Sequence, residues 1–348
     1  MSELLAPKQI AGIWQCLSED FESVNPLNIC IKCQTKPIRF DGIVHRWDNT
    51  IILELEPKKK SYNKDSFYFY RGVRGTINKI QKAPSLLEMC GIVVKEVRKI
   101  TEFDRVTIYK IDTEGAGTII AEDKSDWGHT YLNLRYPSTD IPQQARNLYT
   151  LNWLRLIPDV NYQPTGLTPV NNPTTDRPLD LSHSVLRSVS PIHLEYLQNM
   201  GVTASMSISL IKDRQLWGLI TCHHSSPKYI SYEVRVACEF LGQVMSLELA
   251  TKEANEDWDY KLRLKSLQTK FIESLSQSEY FLDGIVKLQS NLLELVGASG
   301  AVVCSGDRCI HVGQTPPEEA VPALLSWLKH QIDQNNLFYF TLPQEVNP

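Results

Sequence analysis

An α+β chain is predicted, with a central antiparallel sheet flanked by helices. A partial sheet domain precedes it, and a second partial domain follows it across one long helix. Three patterns predict this. Alternating apolar and polar residues at 104–111, 117–122, Ala204–Lys212 and Gln215–His223 have the two-residue period of strands. Runs at 67–82 and 85–101 have the three-to-four period of helices. From Tyr232 to about Gln277 a helical pattern runs without Pro, and no Gly occurs between Gly242 and Gly284.

The first segment reads as a helix over 6–18. Pro7 suits its first turn, and Ile10, Ile13, Trp14 and Leu17 share a face. Strands are expected at 27–34, 38–47 and 50–57, and the polar run 58–65 reads as a linker. The central block, 67–248, holds the helices and strands named above, a turn at Asp213-Arg214 and a helix over 184–199. The stretch 125–182 is rich in Pro, Asn and Asp and is expected to be one elaborate loop; such length usually serves a site. In the long helix, 232–277, Leu264, Leu267, Phe271 and Leu275 keep one face, which suggests an interdomain spine or a dimer seam. The last part, 278–348, offers a helix, the strand Ala301–Cys304, a helix with Val321, Leu324, Leu325 and Leu328 on one face, and a strand over 337–342.

The chain has 348 residues and a formal net charge of −4, which argues against a general nucleic-acid surface. No secretory leader and no run of about 18 apolar residues is visible, so a cytoplasmic setting with no membrane span is expected. The eight cysteines are accordingly expected to be free thiols. Cys30 and Cys33 lie three apart on a strand and face opposite sides, which opposes a metal or redox pair. The same reasoning separates His223 from His224 in Cys222-His223-His224. No enzyme motif of the nucleophile-elbow, phosphate-loop, dinucleotide or zinc-protease type is present, and no catalysis is expected.

A polar set in the central block stands out instead. Arg155 and Arg187 lie in apolar or loop contexts, and Ser205 and Ser207 alternate on one strand with Thr203 and Ser209. Tyr109, Tyr131, Tyr136, Tyr149 and Tyr196 crowd the same block. Guanidinium pairs bind carboxylates through charge-assisted hydrogen bonds, and aromatic walls suit a flat apolar body, so a pocket for a planar diacid is one reading. The bland reading has Arg187 pairing with Asp180 or Glu195, and tyrosines filling a core.

The segment Tyr136-Pro137-Ser138-Thr139-Asp140-Ile141-Pro142-Gln143-Gln144-Ala145-Arg146 resembles the signature loop of phytochromes. So does Leu186-Arg187-Ser188-Val189-Ser190-Pro191-Ile192-His193-Leu194-Glu195-Tyr196-Leu197, and Leu216–His224 extends the match. The resemblance covers essentially the whole chain. It is nearest to the bacterial and cyanobacterial phytochromes that use biliverdin.

The resemblance implies residues 1–60 as the C-terminal part of a PAS domain, 67–248 as a bilin-binding GAF domain and 278–348 as the N-terminal part of a PHY domain. It implies a red/far-red photoreceptor that holds biliverdin or a related linear tetrapyrrole. Asp140 and His193 would meet the pyrrole nitrogens, with Ile141, Pro142 and Ser190 beside them. Arg155 and Arg187 would anchor one propionate; Tyr149, Ser205 and Ser207 would meet the propionates from the other side. His223 would hydrogen-bond the D-ring carbonyl, and Tyr109, Tyr136 and Tyr196 would cage that ring. Light would turn the D-ring and the output would travel along the long helix, in a homodimer, towards a histidine kinase or response regulator outside this chain.

Ile192 stands where many relatives carry the attaching cysteine, and it cannot form a thioether. By the same resemblance the chain is expected to begin past the segment that bears the alternative cysteine and to end before the hairpin that closes the pocket; Cys16 is not a replacement. Covalent attachment is therefore not expected. The competing readings are a non-photoactive remnant serving as a dimerisation scaffold and an ordinary small-ligand GAF sensor.

Overall fold

The computed structural model describes residues 5–18, 25–31, 36–47, 50–58, 66–278, 281–306 and 308–331. The chain divides into two compact units, Met1–Asn255 and Glu256–Pro348.

The first unit opens with helix α1 (Pro7–Ser18) beside an antiparallel sheet of β1 (Asn25–Ile31), β2 (Ile38–Trp47) and β3 (Thr50–Pro57), in the order β1-β2-β3. Leu5, Ile13, Ile29 and Val44 form its buried centre. Trp14, expected on the inner face, is 52% exposed. It sits one position, about 100° of helix, past Ile13, which takes the inward place. The expected linker 58–65 lies outside the described residues beyond Lys58, as does Cys33.

Helices α2 (Ser66–Lys82) and α3 (Leu86–Thr101) follow. Ser85 caps α3 by accepting from the Glu88 N–H at 3.2 Å. Then come β4 (Arg105–Ile111), β5 (Gly117–Lys124), β6 (Arg135–Tyr136), α4 (Gln143–Leu151), β7 (Leu154–Ile157), α5 (Pro191–Asn199), β8 (Ala204–Lys212) and β9 (Gln215–His224). The six strands form one antiparallel sheet in the order β6-β5-β4-β9-β8-β7. Asp213 and Arg214 both have positive φ (52° and 62°), the two-residue turn whose twist matches a hairpin.

Two expectations fail here. The stretch 125–182 is not one loop, because it carries α4 and the strands β6 and β7. Their short periods are hidden by the prolines and asparagines between them. The helix expected over 184–199 begins only at Pro191. The amides of Val185 and Leu186 and the carbonyls of Ser184, Val185 and Arg187 bond side chains of Glu54, Arg155 and Arg187 instead of a helical ladder.

Strand alternation gives the six-stranded sheet two faces. Val106, Ile108, Met206, Ile208, Ile220 and Cys222 point into the main core against α3 and the long helix α6 (Tyr232–Ser276). On α6, Cys238, Leu241, Met245 and Leu249 recur at helical spacing in that core. Gly242 allows the close approach: a Cβ there would lie 2.6 Å from Ile208 Cγ2. The end of α6 in this unit is tied down by Glu253, which accepts from Lys110 Nζ (3.0 Å), Trp217 Nε1 (2.9 Å) and Lys212 Nζ.

The second unit takes the remaining turns of α6, where Leu267 is buried and Leu264, Phe271 and Leu275 half-buried, as their spacing predicts. The helix expected near 280 is two short ones, α7 (Phe281–Val286) and α8 (Gln289–Val296). A hairpin of β10 (Gly300–Ser305) and β11 (Arg308–Gly313) and the helix α9 (Val321–Gln331) complete it. The expectation of free thiols fails at Cys304 and Cys309. They are register partners across this hairpin and form a disulfide. On α9, Val321 is buried but Leu324 is 40% exposed, and the Leu328 side chain and the strand expected over 337–342 lie outside the described residues.

Candidate functional site

The second face of the six-stranded sheet carries the odd-numbered residues of β4, β8 and β9. Register pairs Thr107 with Thr221, Tyr109 with Leu219, Ser207 with Thr221 and Ser205 with His223, so these side chains share one floor. α5 and the loop carrying Asp140 stand over that floor. Together they enclose a cavity of about 80 Å³. Of the expected site residues, Tyr109, Tyr136, Asp140, Ile141, Tyr149, His193, Tyr196, Ser205, Ser207 and His223 line it. Thr107, Ile119, Tyr131, Leu197, Met200, Leu219 and Thr221 line it as well. For the strand members the deciding signal is cross-strand register with Ser205 and Ser207, which parity along one strand does not fix.

The Asp140 loop is held by Arg146. Its guanidinium donates to the carbonyls of Ile141 (2.7 Å), Gly115 (2.7 Å) and Ser138 (2.9 Å). Pro142 then starts α4. With the backbone so fixed, the Asp140 carboxylate turns to the cavity and accepts from the Tyr196 hydroxyl at 3.4 Å. Tyr109 can lie flat against β5 because residue 117 is Gly: a Cβ there would sit 1.8 Å from the ring. Burial, with the Asp140 charge adding to it, pushes the Tyr109 hydroxyl up to about 12. Burial and the Asp140 charge likewise raise Tyr196. Both therefore stay protonated donors at neutral pH.

His223 is buried and its Nδ1 has no hydrogen-bond partner among the described residues. Burial, then the charge of Arg105 behind it, lowers its pKa to about 4, so the ring is neutral. His193 stacks on Tyr196 with ring centroids 6.3 Å apart, and burial and Arg155 lower its pKa too. An orphaned polar atom in a buried wall costs free energy unless something in the cavity satisfies it.

Arg155 and Arg187 are brought together beside the cavity rather than in its lining. Arg155 donates to the carbonyls of Val185 (2.5 Å) and Arg187, and Arg187 donates to Ser184 O (2.7 Å). Among the described residues no carboxylate reaches ion-pair distance of either guanidinium. The bland pairing of Arg187 with Asp180 or Glu195 is not seen. Burial and then the Arg187 charge lower Arg155 to about 10, which still leaves it charged. Tyr149 shares a hydrogen bond with Ser207 and feels both guanidinium charges, which links this cationic pair to the cavity floor. Ser209 does not face the cavity; it donates to Tyr149 O (2.7 Å) and anchors the end of α4. Pro142, Ser190 and Ile192 lie outside the lining. Ser190 and Pro191 start α5, and Ile192 is 79% exposed on its first turn.

His224 points to the opposite side, where Nδ1 meets Asp104 Oδ2 at 2.9 Å. No metal-ligating cluster of His, Cys, Asp or Glu occurs among the described residues. No described helix is long and apolar enough to cross a membrane.

Comparison with known proteins accounts for most of the chain. Family models for the PAS fold, the GAF domain and the phytochrome region match residues 1–58, 85–250 and 264–347. Cyanobacterial phytochrome B of Nostoc sp. is 48% identical over 335 residues, 96% of this chain and 45% of that protein. Among solved structures, the Stigmatella aurantiaca phytochrome photosensory core module is 45% identical with a TM-score of 0.72, covering 94% of this chain and 65% of that one. The chromophore-binding domain of bacteriophytochrome RpBphP3 from R. palustris is 42% identical with a TM-score of 0.68, covering 73% and 82%. The chain spans less than half the length of the curated relatives it matches.

Proposed function

Since this chain belongs to the phytochrome family, we propose that it is a red/far-red sensory module holding a linear tetrapyrrole, biliverdin in the first instance, in the cavity of its GAF domain. The observation that carries the reading is the half-buried guanidinium pair with no carboxylate at ion-pair distance among the described residues, set beside a cavity whose wall holds the orphaned Nδ1 of His223. Two adjacent, partly desolvated cations repel each other, and an anion between them offsets that repulsion. A propionate supplies that anion.

The residues fit the ligand chemistry. Arg155 and Arg187 bind a carboxylate. Tyr149, Ser205 and Ser207 offer hydroxyls on the floor below. Asp140 and the neutral His193 offer acceptors to converging pyrrole N–H groups. His223, neutral at physiological pH, gives one hydrogen bond to a ring carbonyl. Tyr109, Tyr136 and Tyr196 supply an aromatic cage, with Tyr109 and Tyr136 centroids 5.9 Å apart. The bound bilin supplies light absorption and the double-bond rotation of its terminal ring. Ile192 is a branched hydrocarbon and forms no thioether, so retention through that position is noncovalent.

Val236, Phe240 and Leu247 are exposed on one side of α6, and we assign them to a homodimer seam along which the output travels. We propose the domain layout of the sequence reading, with PAS to residue 60, GAF over 67–248 and PHY from 278.

Co-expression with a biliverdin source tests the proposal. Red absorbance that changes reversibly on red and far-red illumination is expected. A colourless purified protein refutes it.

A further inference from the structure

Glu54 belongs to β3, in the three-stranded sheet, yet its carboxylate serves the other sheet's site. Its side chain is 7% exposed. Both oxygens are used by main chain: Val185 N–H donates to Oε1 at 3.0 Å and Leu186 N–H to Oε2 at 2.7 Å. The carbonyls of the same segment face the arginines. Val185 O and Arg187 O accept from Arg155, and Ser184 O accepts from Arg187 at 2.7 Å. One short peptide stretch is thus clamped by a carboxylate through its amides and holds two guanidiniums through its carbonyls. Residues 184–187 precede α5 and belong to no strand, and the flanking chain is held by the Ser184 N–H on Leu181 O (2.9 Å) and the Val189 N–H on the Tyr162 hydroxyl (2.7 Å).

We propose that Glu54 is a positioning residue for the ligand's carboxylate. It fixes segment 184–187, and that segment orients Arg155 and Arg187 towards the anion. The proposal rests on the tetrapyrrole reading of the site. It makes the first sheet a part of the binding machinery rather than a neighbour of it.

Two opposing effects make the role measurable. Glu54 lies close enough to act on both guanidiniums through its charge, and as mere counter-charge it would compete with a bound carboxylate. Removing that charge would then strengthen anion binding. As a positioning group, its removal weakens anion binding, because the guanidiniums lose their shared orientation. His45, 3.9 Å away, does not offset the charge: burial and the neighbouring His183 hold its pKa down.

The experiment compares biliverdin with its dimethyl ester, which keeps the ring system and lacks both carboxylates. Affinities are measured by absorbance titration for the wild type, Glu54→Gln and Glu54→Asp. Glutamine faces a peptide N–H with its own NH₂, and aspartate keeps the charge but falls one methylene short of both amides. Each variant is expected to weaken biliverdin binding about tenfold, the scale of one charge-assisted hydrogen bond, while the ester's affinity changes little. Tighter biliverdin binding by Glu54→Gln overturns the proposal in favour of simple charge competition. Unchanged binding overturns it, and so does an equal loss for both ligands in whichever variant keeps a native circular dichroism spectrum. Wild-type protein that takes up neither bilin overturns the tetrapyrrole reading and this role with it.

Discussion

Glu253 anchors α6 to the end of the sheet that carries the site, and replacing it by Gln tests how firmly helix and site are coupled. Its carboxylate accepts from Lys212, Trp217 and Lys110, and its side chain is 20% exposed. Burial works to raise its pKa, but the three hydrogen bonds and the Lys110 charge outweigh burial and hold it at about 2, against an ordinary 4.5. At about 1.36 kcal/mol per pKa unit that difference corresponds to roughly 3 kcal/mol. Lys110 is 37% exposed, and solvent screening of that pair reduces the figure to about 1–2 kcal/mol. Because the folded-state pKa is depressed, this stabilisation is fully present above about pH 4.5 and is lost as pH falls through about 2. Urea unfolding followed by Trp fluorescence reads it. At pH 7 Glu253→Gln is expected to unfold at lower urea than the wild type, with the gap closing between pH 4.5 and 2. A gap that is absent at pH 7, or that stays constant down to pH 2, refutes the electrostatic account of the anchor.

Further outcomes follow from the same geometry. Ile192→Cys is expected to form a thioether with a vinyl-bearing bilin, seen as zinc-induced fluorescence on a denaturing gel; no adduct counts against the pocket assignment. His223 stays neutral in the folded state down to about pH 4 while the unfolded side chain protonates near 6.5, so it favours unfolding as pH falls through that window. His223→Gln should therefore flatten the fall in melting temperature between pH 6.5 and 4, and an unchanged slope would show that His223 is not the titrating group. Gly242→Ala is expected to destabilise by about 1–3 kcal/mol through overpacking against Ile208, even though helix propensity alone favours Ala by about 1 kcal/mol. A raised melting temperature would show that α6 and β8 can part at no cost.

The long periodic elements were readable in the residues. Helices α2, α3 and α6 and the β8–β9 hairpin fall within a residue or two of expectation, because each is long enough for its period to show and is bounded by turn residues such as Asp213-Arg214. Helix α4 and strand β7 were not readable: nine and four residues leave too little period, and their stability comes from contacts such as Ser209 with the end of α4. The disulfide was missed because composition and compartment speak to cysteines in bulk, whereas register decides which two of them face each other.

The candidate site divides in the same way. The motif residues Asp140, His193 and His223 and the serine alternation on β8 were marked by the chain itself, and strand parity puts Ser205 and Ser207 on one floor, whereas His223 joins them only through the register shift between Leu210 and Ile211. What encloses that floor came from folding. Arg146 bends the Asp140 loop inward, Gly117 lets Tyr109 lie flat, and Glu54 reaches across from another sheet to segment 184–187. Those links join residues up to 132 positions apart. Local propensity and periodicity act over a few residues, so the sequence by itself determined the long elements, the alternation along each strand and the family. Only the tertiary structure decided which distant carboxylates, amides and guanidiniums would meet, because burial makes each of them find a partner in the packed chain.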